Sequence, residues 1–514
     1  MSCTTNRHRQ ESAWLIGEIL SPKLAVSGRS LKPKEIMIDM QVEHGLSLLY
    51  TKALRAKGLA EQNVFGSPDT SYRLLPAYCH ELKRVNHGTT AIRPAICIDA
   101  THLKGRFGDV MFITACQDAN NQVFPLAYGW GDVECEDSWT WFLKELKKTI
   151  GCPTNCIIIS DRSPAIKVAM IKEYPEIPHG LCGFHMNMNL KNRFKGHIVC
   201  NLFHEASRAH RQTEFLGKMR ELSRVNMRAY EYLMRVGPHR WSRAYYPVRR
   251  FGGMTSNIME CMNNCLRYAL QLPITTLVEY VRDMMQKWFH ERREAATRNK
   301  TQLSRWATEK LTKKNETSHK YTVRPIDHVH FNVKDGEKDG LVNLSEKSCT
   351  CKEFQNDLLP CSHALAPIRH CKKKIGDFCS NFYKTSTWLE SYSGLIFFVG
   401  QPSEWNTPEK VCVEVVLPPD WRPQAGRLRN NRVQSAGEHG RRSRYCTICK
   451  KSGHNRKNCA NPPVDQQCNV PNPQTNPRPR QRRKCKSCGQ EGHNIRTCPT
   501  RPYHNPTDPD NDVE

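Results

Sequence analysis

The pattern of hydrophobic and polar positions between residues 94 and 161 predicts a small α/β unit. Apolar stretches at 95–99, 110–116 and 123–128 are separated by turns that contain Gly and Asn, which is typical of a strand meander. A helix and then an apolar strand at 156–160 follow. Four residues at helical spacing form the apolar side of this helix: Trp139, Phe142, Leu143 and Leu146.

Two aspartates stand at the ends of these predicted strands. Asp99 ends the first strand and Asp161 ends the fourth. In a β-β-β-α-β order the helix supplies the crossover that parallel pairing of the first and fourth strands requires. The two carboxylates would then project together, as Mg²⁺ or Mn²⁺ requires for two-metal phosphoryl chemistry. The pattern therefore predicts a divalent-metal site.

The regions on either side of this unit read as helical. Two short helices around Gly45 indicate either a helix-turn-helix-like unit that contacts DNA or an ordinary helical hairpin. After Asp161, Ser163 is the expected N-cap of a helix that starts at Pro164. Basic helices at 200–250 carry three aromatic residues that either stack on DNA or fill a core. These aromatic residues are Trp241, Tyr245 and Tyr246.

A long amphipathic helix is predicted after residue 273. Thr276 and Glu279 have the spacing of a capping box at its start. One apolar stripe runs along the helix and is expected to face the core. The stripe consists of Leu277, Val278, Val281, Met284, Met285, Trp288 and Phe289.

Three sets of cysteine and histidine have the spacing of structural zinc sites. The first set combines a C-x-C arm with a C-x-H arm, as in SWIM zinc fingers, between predicted strands and a helix that begins at its histidine. The other two sets have identical C-x2-C-x4-H-x4-C spacing, as in zinc knuckles that bind single-stranded nucleic acid. The ligands are Cys349, Cys351, Cys361 and His363, then Cys446, Cys449, His454 and Cys459, and finally Cys485, Cys488, His493 and Cys498.

Charge and composition favour an intracellular protein that binds nucleic acid. Lys and Arg number 77 against 50 Asp and Glu, which gives a formal net charge of +27 and favours a polyanionic partner. No signal peptide and no apolar run of membrane-spanning length are visible. We therefore expect few disulfides among the 24 cysteines, with Cys97 and Cys116 as small buried hydrophobes. The basic run at 478–484 is a candidate nuclear localisation signal.

Six segments in order identify a family resemblance: IDATHLKG, QDANNQVFPLAYGWGD, DSWTWFL, ISDR, LCGFHMNMN and TSNIMECMNN. They resemble the Mutator-like (MULE) transposases of plant DNA transposons. The resemblance implies an RNase H-like α/β core, a mixed sheet flanked by helices, in which Asp99, Asp161 and Glu260 form a DDE triad. It also makes Cys182 and His185 auxiliary candidates, structural or in contact with the DNA end. The alternative is a buried cysteine beside a histidine at a helix start.

The resemblance also implies a domain order. We expect a helical N-terminal region, an RNase H-like domain, a linker, a SWIM zinc finger, a basic link, and a disordered tail in which a Pro-rich linker separates the two knuckles. No Cys/His cluster precedes residue 90, so we expect a front end that is shortened relative to the family. The expected ranges are 1–90, 91–300, 301–325, 326–372, 373–440, 441–462, 463–480 and 481–501.

Other polar residues near the two aspartates have alternative interpretations. His102 either orients water or DNA or is a packed loop histidine. Five acids in loops are rivals of the triad that we expect to be mostly in turns and solvated. These acids are Asp109, Asp118, Asp132, Glu134 and Asp137.

The function that these features predict is DNA transposition in the nucleus. A transposase of this kind would hydrolyse phosphodiester bonds at transposon ends and transfer the freed strand to target DNA, as a monomer or a homo-oligomer. One alternative is a domesticated, non-cleaving DNA-binding regulator. Another is an RNA- or single-strand-binding protein defined by its zinc knuckles.

Overall fold

The computed structural model describes residues 12–27, 31–85, 94–105, 107–194, 196–248 and 257–419. The chain divides into two compact units after residue 440, and every described residue belongs to the first unit. The predictions for both zinc knuckles, the Pro-rich linker and the candidate localisation signal lie outside the described residues. Within the described ranges, no helix has the length and apolar character needed to cross a membrane.

Helices form the N-terminal region, as predicted. The helix around Ile36 and Met40 buries both residues, and Gly45 ends it in a left-handed conformation. Small residues let the first and third helices approach closely, since a Cβ on Gly17 would lie 2.9 Å from the Cβ of Leu59. The helices are α1 (Ala13–Ser27), α2 (Pro33–His44), α3 (Tyr50–Phe65) and α4 (Pro68–Val85).

A mixed sheet forms the centre of the next region and confirms the predicted α/β fold class. Its order in the described residues is β3-β2-β1-β4-β5, with the first three strands antiparallel and β1, β4 and β5 parallel. The helix between β3 and β4 provides the expected crossover. The elements are β1 (Ala95–His102), β2 (Val110–Gln117), β3 (Val123–Gly131), α5 (Glu136–Ile150), β4 (Ile157–Ser160), α6 (Pro164–Glu173), β5 (His179–Leu181) and α7 (Gly183–Arg193).

One face of this sheet packs against α5 and α6. Ile96 and Ile98 of β1 point to this face, and the predicted stripe of α5 is buried against it. The ring centroids of Phe112 and Trp139 lie 4.8 Å apart in an edge-to-face contact. Because successive strand residues alternate between faces, Cys97 and Asp99 point to the opposite side of the sheet.

A helical insertion follows α7 and has a core of its own. Trp241 is fully buried, with its ring centroid 5.3 Å from that of Phe203 and 5.5 Å from that of Phe215. Of the two interpretations of Trp241, the structure therefore supports the core residue and not the DNA-stacking one. The helices of the insertion are α8 (His197–Arg208), α9 (Gln212–Val225), α10 (Met227–Val236) and α11 (Pro238–Trp241).

Three helices return the chain to the second face of the sheet and lead away from it: α12 (Asn257–Leu266), α13 (Ile274–Arg298) and α14 (Arg305–Ser318). Most of the predicted stripe of α13 is buried or half-buried. The predicted capping box is wrong, because α13 starts at Ile274 after Pro273. The Thr276 hydroxyl lies 3.5 Å from the carbonyl oxygen of Phe65, and Glu279 accepts a hydrogen bond from Tyr78.

A small antiparallel sheet and a short helix form the region that contains the first cysteine–histidine set. The strands run in chain order, and the helix after Cys361 packs across them, as the sequence predicts. The remaining elements are β6 (Thr322–Pro325), β7 (His330–Lys334), β8 (Gly340–Asn343), β9 (Ser348–Cys349), α15 (Glu353–Asp357), α16 (Ser362–His370), α17 (Thr385–Ser391) and α18 (Glu409–Cys412).

Candidate active site and zinc centre

Asp99 and Asp161 occupy matching positions on neighbouring parallel strands. Cys97 pairs with Ile159 in the register of β1 and β4, and each aspartate lies two residues further along the chain, Asp99 inside β1 and Asp161 directly after β4. Asp161 is buried, and its Oδ1 accepts a 3.0 Å hydrogen bond from the backbone N–H of Ser163. Ser163 is the N-cap of α6, as predicted, but its side chain makes no capping hydrogen bond. The Asp161 carboxylate is thereby held by the backbone at the start of the helix.

The helix that carries Glu260 packs on the face of the sheet to which Asp99 points. Met259 and Met262 of α12 are buried against Cys97 and the other residues of that face. Asn263, one turn after Glu260, donates a 3.3 Å hydrogen bond from its Nδ2 to Oδ2 of Asp99. Residues three apart lie on one side of a helix, so half-buried Glu260 belongs to the side that faces Asp99.

The three predicted acids share one region without meeting at one point. Among the described residues, the group of side chains close enough to hold a single metal ion is the cysteine–histidine set discussed below. Asp99, Asp161 and Glu260 do not form such a group. Their assignment as a catalytic triad stays a prediction.

Glu134 is an acid of this site that sequence reasoning placed among the solvated loop residues. It lies between β3 and α5 and is half-buried. Burial raises the pKa of Glu134, and the negative charges of Asp161 and then Asp99 raise it further, against a hydrogen bond from the indole N–H of Trp139. The negative charges of Asp161 and Asp99 therefore repel the carboxylate of Glu134, and a bound cation would relieve this repulsion. The position of Glu134 directly before α5 is the signal that could have identified it.

The other rival acids divide into two kinds. Asp132 and Asp137 are exposed, as expected. Asp109 and Asp118 are buried and hydrogen-bonded, so the expectation that they are solvated is wrong. Asp109 accepts a hydrogen bond from the hydroxyl of Tyr72, while Asp118 accepts one of 2.7 Å from the N–H of Gln122. Both acids belong to the packed structure around the sheet and not to a solvated loop.

Cys182 and His185 lie beside the two aspartates. Cys182 follows β5, whose register with β4 places it next to Asp161, and both residues are buried. Burial acts to lower the pKa of His185, but a hydrogen bond that the protonated imidazole donates to Cys182 and the charges of Cys182, Asp99 and Asp161 raise it to about 9. A cationic imidazole at this position offsets part of the negative charge of the acids.

His102 lies in β1 and not in a loop. It is three residues from Asp99, which puts the two side chains on opposite faces of the strand. Burial lowers the pKa of His102, so the imidazole is neutral at physiological pH. This geometry favours the packed histidine over a residue that orients water at Asp99.

The cysteine–histidine set between β9 and α16 fits a structural zinc ion. The ligand atoms of Cys349, Cys351, Cys361 and His363 all lie within 4.8 Å of one another. A tetrahedral zinc ion with bonds of about 2.3 Å to sulfur separates its ligands by about 3.8 Å. Three thiolates and one imidazole complete such a shell, so the site has a structural and not a catalytic character.

The imidazole of His363 is held from several sides. Its Nε2 lies 3.1 Å from Oδ2 of Asp335 and 3.1 Å from the carbonyl oxygen of Lys338, which leaves Nδ1 to face the cysteines. Tyr321 stacks on the ring with a centroid distance of 5.3 Å. Gly340 also lies against the ring, since a Cβ at Gly340 would come within 2.7 Å of Cγ of His363.

Polar contacts join this zinc module to the helical insertion. Arg211 donates a 3.1 Å hydrogen bond to the carbonyl oxygen of Thr350, and Lys338 forms a 2.9 Å ion pair with Glu214. Buried Asp357 forms ion pairs with Lys310 at 3.1 Å and with Arg243 at 3.8 Å. The insertion and the zinc module therefore form one packed body in the described part of the chain.

Comparisons with known proteins agree with this geometry. Residues 95–189 match the MULE transposase domain, and residues 334–372 match the SWIM zinc finger. The chain therefore contains a transposase-like domain, which implies DNA binding, and a zinc-binding module. The comparison with curated proteins finds no match.

Among solved structures, the chain is similar to part of the simian T-cell lymphotropic virus intasome in complex with PP2A regulatory subunit B56 gamma. The sequence identity is 12%, and the TM-score is 0.15. The likeness covers 41% of this chain and 62% of that one, and at this TM-score it carries no argument.

Proposed function

We propose that this chain, which contains a MULE transposase domain and a SWIM zinc finger, is a DNA transposase. Its substrates are transposon ends and target DNA, and its reactions are phosphodiester hydrolysis followed by strand transfer. The observation that carries the proposal is the matched position of Asp99 and Asp161 on parallel strands inside the matched domain, with the helix of Glu260 packed against them.

In this proposal Asp99, Asp161 and Glu260 hold divalent metal ions, Mg²⁺ or Mn²⁺. Such ions supply the activation of a water molecule and the stabilisation of the leaving 3′ oxygen. Oxygen ligands suit these hard cations, and the repulsion among Asp99, Asp161 and Glu134 supports the fit. The Asn263 amide orients Asp99, while the Ser163 N–H orients Asp161.

Other features of the chain have supporting roles in the proposed function. The formal net charge of +27 favours association with DNA, and the zinc module stabilises the region next to the insertion. The two knuckles would hold two further zinc ions and bind single-stranded nucleic acid, and the basic run at 478–484 would direct the protein to the nucleus. Assembly as a homo-oligomer at paired transposon ends belongs to the same proposal.

The test is a Mn²⁺-dependent nicking and strand-transfer assay on DNA with candidate terminal repeats. We expect Asp99→Ala, Asp161→Ala and Glu260→Ala each to abolish both products. Asp132→Ala is the matched control, since it removes an exposed acid from the loop that also carries Glu134 and should leave both products intact. Activity that survives in any of the three variants refutes the triad.

A second candidate is a DNA-binding regulator that does not cleave. The observation in its favour is that the three acids of the described structure do not meet at one point. This candidate predicts DNA binding by the wild-type chain with no nicking in Mg²⁺ or Mn²⁺. Retention of all three acids favours the transposase.

A further inference from the structure

Three arginines gather beside Asp161, where the insertion meets the sheet. Arg162 follows Asp161 directly and donates a hydrogen bond from Nη1 to the hydroxyl of Tyr232. The Cζ atom of Arg162 lies 5.4 Å from the centre of the Tyr232 ring, and the Cζ atom of Arg193 lies 5.0 Å from the same centre. Tyr232 is buried in the insertion and packs on Phe194, so the two guanidinium groups share one fixed aromatic support.

Arg240 joins this cluster through the strand that ends at Asp161. Its Nη2 donates a 3.3 Å hydrogen bond to Nδ1 of His179, which leaves Nε2–H to donate to the Ser160 hydroxyl at 2.7 Å. Ser160 in turn donates to the carbonyl oxygen of Asp161 at 2.7 Å. Burial, and then the positive charge of Arg162, lower the pKa of Arg240, which shows that the two guanidinium groups repel each other.

The three arginines of this cluster form no ion pair with a carboxylate in the part of the chain that the structure describes. Among the described residues, Arg162, Arg193 and Arg240 have aromatic, histidine and hydroxyl partners and no ion pair with Asp or Glu. Some other exposed arginines of the described residues are paired, such as Arg298 with Glu294 and Arg305 with Glu309. Arg162 and Arg193 are exposed and therefore accessible to a ligand.

We propose that Arg162, Arg193 and Arg240 form a binding site for a backbone phosphate of the DNA strand that lies next to Asp161. A tetrahedral phosphate accepts forked hydrogen bonds from guanidinium groups, which are the preferred side chains for this ligand. The phosphate contact positions the strand in the active site and carries no sequence information. This inference rests on the proposed function, since it takes DNA as the substrate.

The test measures duplex DNA binding by the zinc-loaded full chain at several salt concentrations, without Mg²⁺ or Mn²⁺. We expect Arg162→Gln, Arg193→Gln and Arg240→Gln each to weaken binding and to make the dependence of log K on log [salt] less steep. Because the three arginines share one phosphate, the total reduction in slope should be about 0.9. The control Arg305→Gln removes the same charge from an arginine that is already paired, and should leave the slope unchanged. Melting curves check that each variant is folded.

A cycle with modified DNA identifies the contact. Replacing single phosphates by neutral methylphosphonates should reveal one position whose replacement weakens the binding of Arg162→Gln less than it weakens wild-type binding. Three variants with the slope and affinity of Arg305→Gln would overturn the proposal. So would a saturable stabilisation by inorganic phosphate that Arg162→Gln removes while DNA affinity is unchanged. Because no step involves cleavage, a failed nicking assay leaves this result interpretable.

Discussion

Replacement of Asp335 by Ala should weaken zinc binding at the SWIM module although Asp335 is not a zinc ligand. Its Oδ2 lies 3.1 Å from Nε2 of His363. Its Oδ1 accepts hydrogen bonds from the backbone N–H groups of Glu337, at 2.8 Å, and Lys338. These two bonds fix the turn between β7 and β8, and that turn places the carbonyl oxygen of Lys338, the second acceptor for His363.

The structure sets the size of the expected effect. Loss of a hydrogen-bonding partner behind a metal-bound histidine weakens metal affinity about 10- to 100-fold. Asp335→Ala removes one acceptor directly and disturbs the other, so we expect the upper end, about 100-fold or about 2.7 kcal/mol. Asp335→Asn keeps an oxygen that can hold the turn. Because it removes only the charged acceptor, we expect about 10-fold or about 1.4 kcal/mol.

The assay follows zinc release from the full chain into a chromophoric chelator, counted in equivalents. In Asp335→Ala, one equivalent of zinc should be released at a lower chelator concentration than in the wild type, while the release of the other equivalents is unchanged. Asp327→Ala is the matched control: Asp327 makes the same turn contacts with Val329 and His330, and its Oδ2 lies 2.7 Å from Nδ1 of His330, which is not a zinc ligand. Release unchanged in Asp335→Ala, or shifted equally in Asp327→Ala, would refute the reasoning.

Three further substitutions test other parts of the structure. Gly340→Ala puts a Cβ 2.7 Å from Cγ of His363, and should destabilise the module by about 1–3 kcal/mol and advance the release of the same zinc equivalent. Trp241→Ala should destabilise the chain by about 3–5 kcal/mol in denaturant melts, whereas Trp141→Ala, at an exposed site of α5, should change little. Burial, and then the charge of Asp132, raise the pKa of Asp109 to about 6, so ionisation above that pH opposes folding. Asp109→Asn should therefore raise the melting temperature at pH 7.5. This gain should vanish below about pH 4, where the aspartate of the wild type is neutral like the asparagine of the variant.

Local patterns predict the parts of this protein that depend on neighbours in sequence. The alternation along β1 and the apolar run of β4 predict the two strands, and the crossover helix makes them parallel. Asp161 directly follows β4, as predicted, but the prediction that Asp99 ends its strand is wrong, because β1 continues to His102. The zinc ligands are predictable for the same reason. Cys349 and Cys351 lie on one short segment, Cys361 and His363 lie on another, and two close pairs suffice to define the set.

Features that depend on contacts between distant segments could not be predicted in this way. Thr276 and Glu279 have the spacing of a capping box, but contacts with Phe65 and Tyr78 occupy both side chains. Asp118 follows β2 in a loop, as a solvated acid would, yet it is buried because the Tyr392 hydroxyl, from the C-terminal part of the fold, donates a 2.9 Å hydrogen bond to it. No periodicity within either segment encodes such pairs.

The zinc centre and the proposed phosphate site are connected through the insertion. Lys338 contacts both the zinc site and the insertion. Its carbonyl oxygen lies 3.1 Å from Nε2 of His363, and its ammonium group pairs with Glu214 of α9. Helix α9 packs against α10, which carries Tyr232, the support of Arg162 and Arg193. Zinc bound at Cys349, Cys351, Cys361 and His363 would fix the position of the His363 ring, and with it the turn that contains Lys338 and contacts the insertion. If the proposed phosphate site binds DNA, loss of zinc should therefore weaken DNA binding through the insertion helices, even where the surface of the zinc module does not contact the DNA.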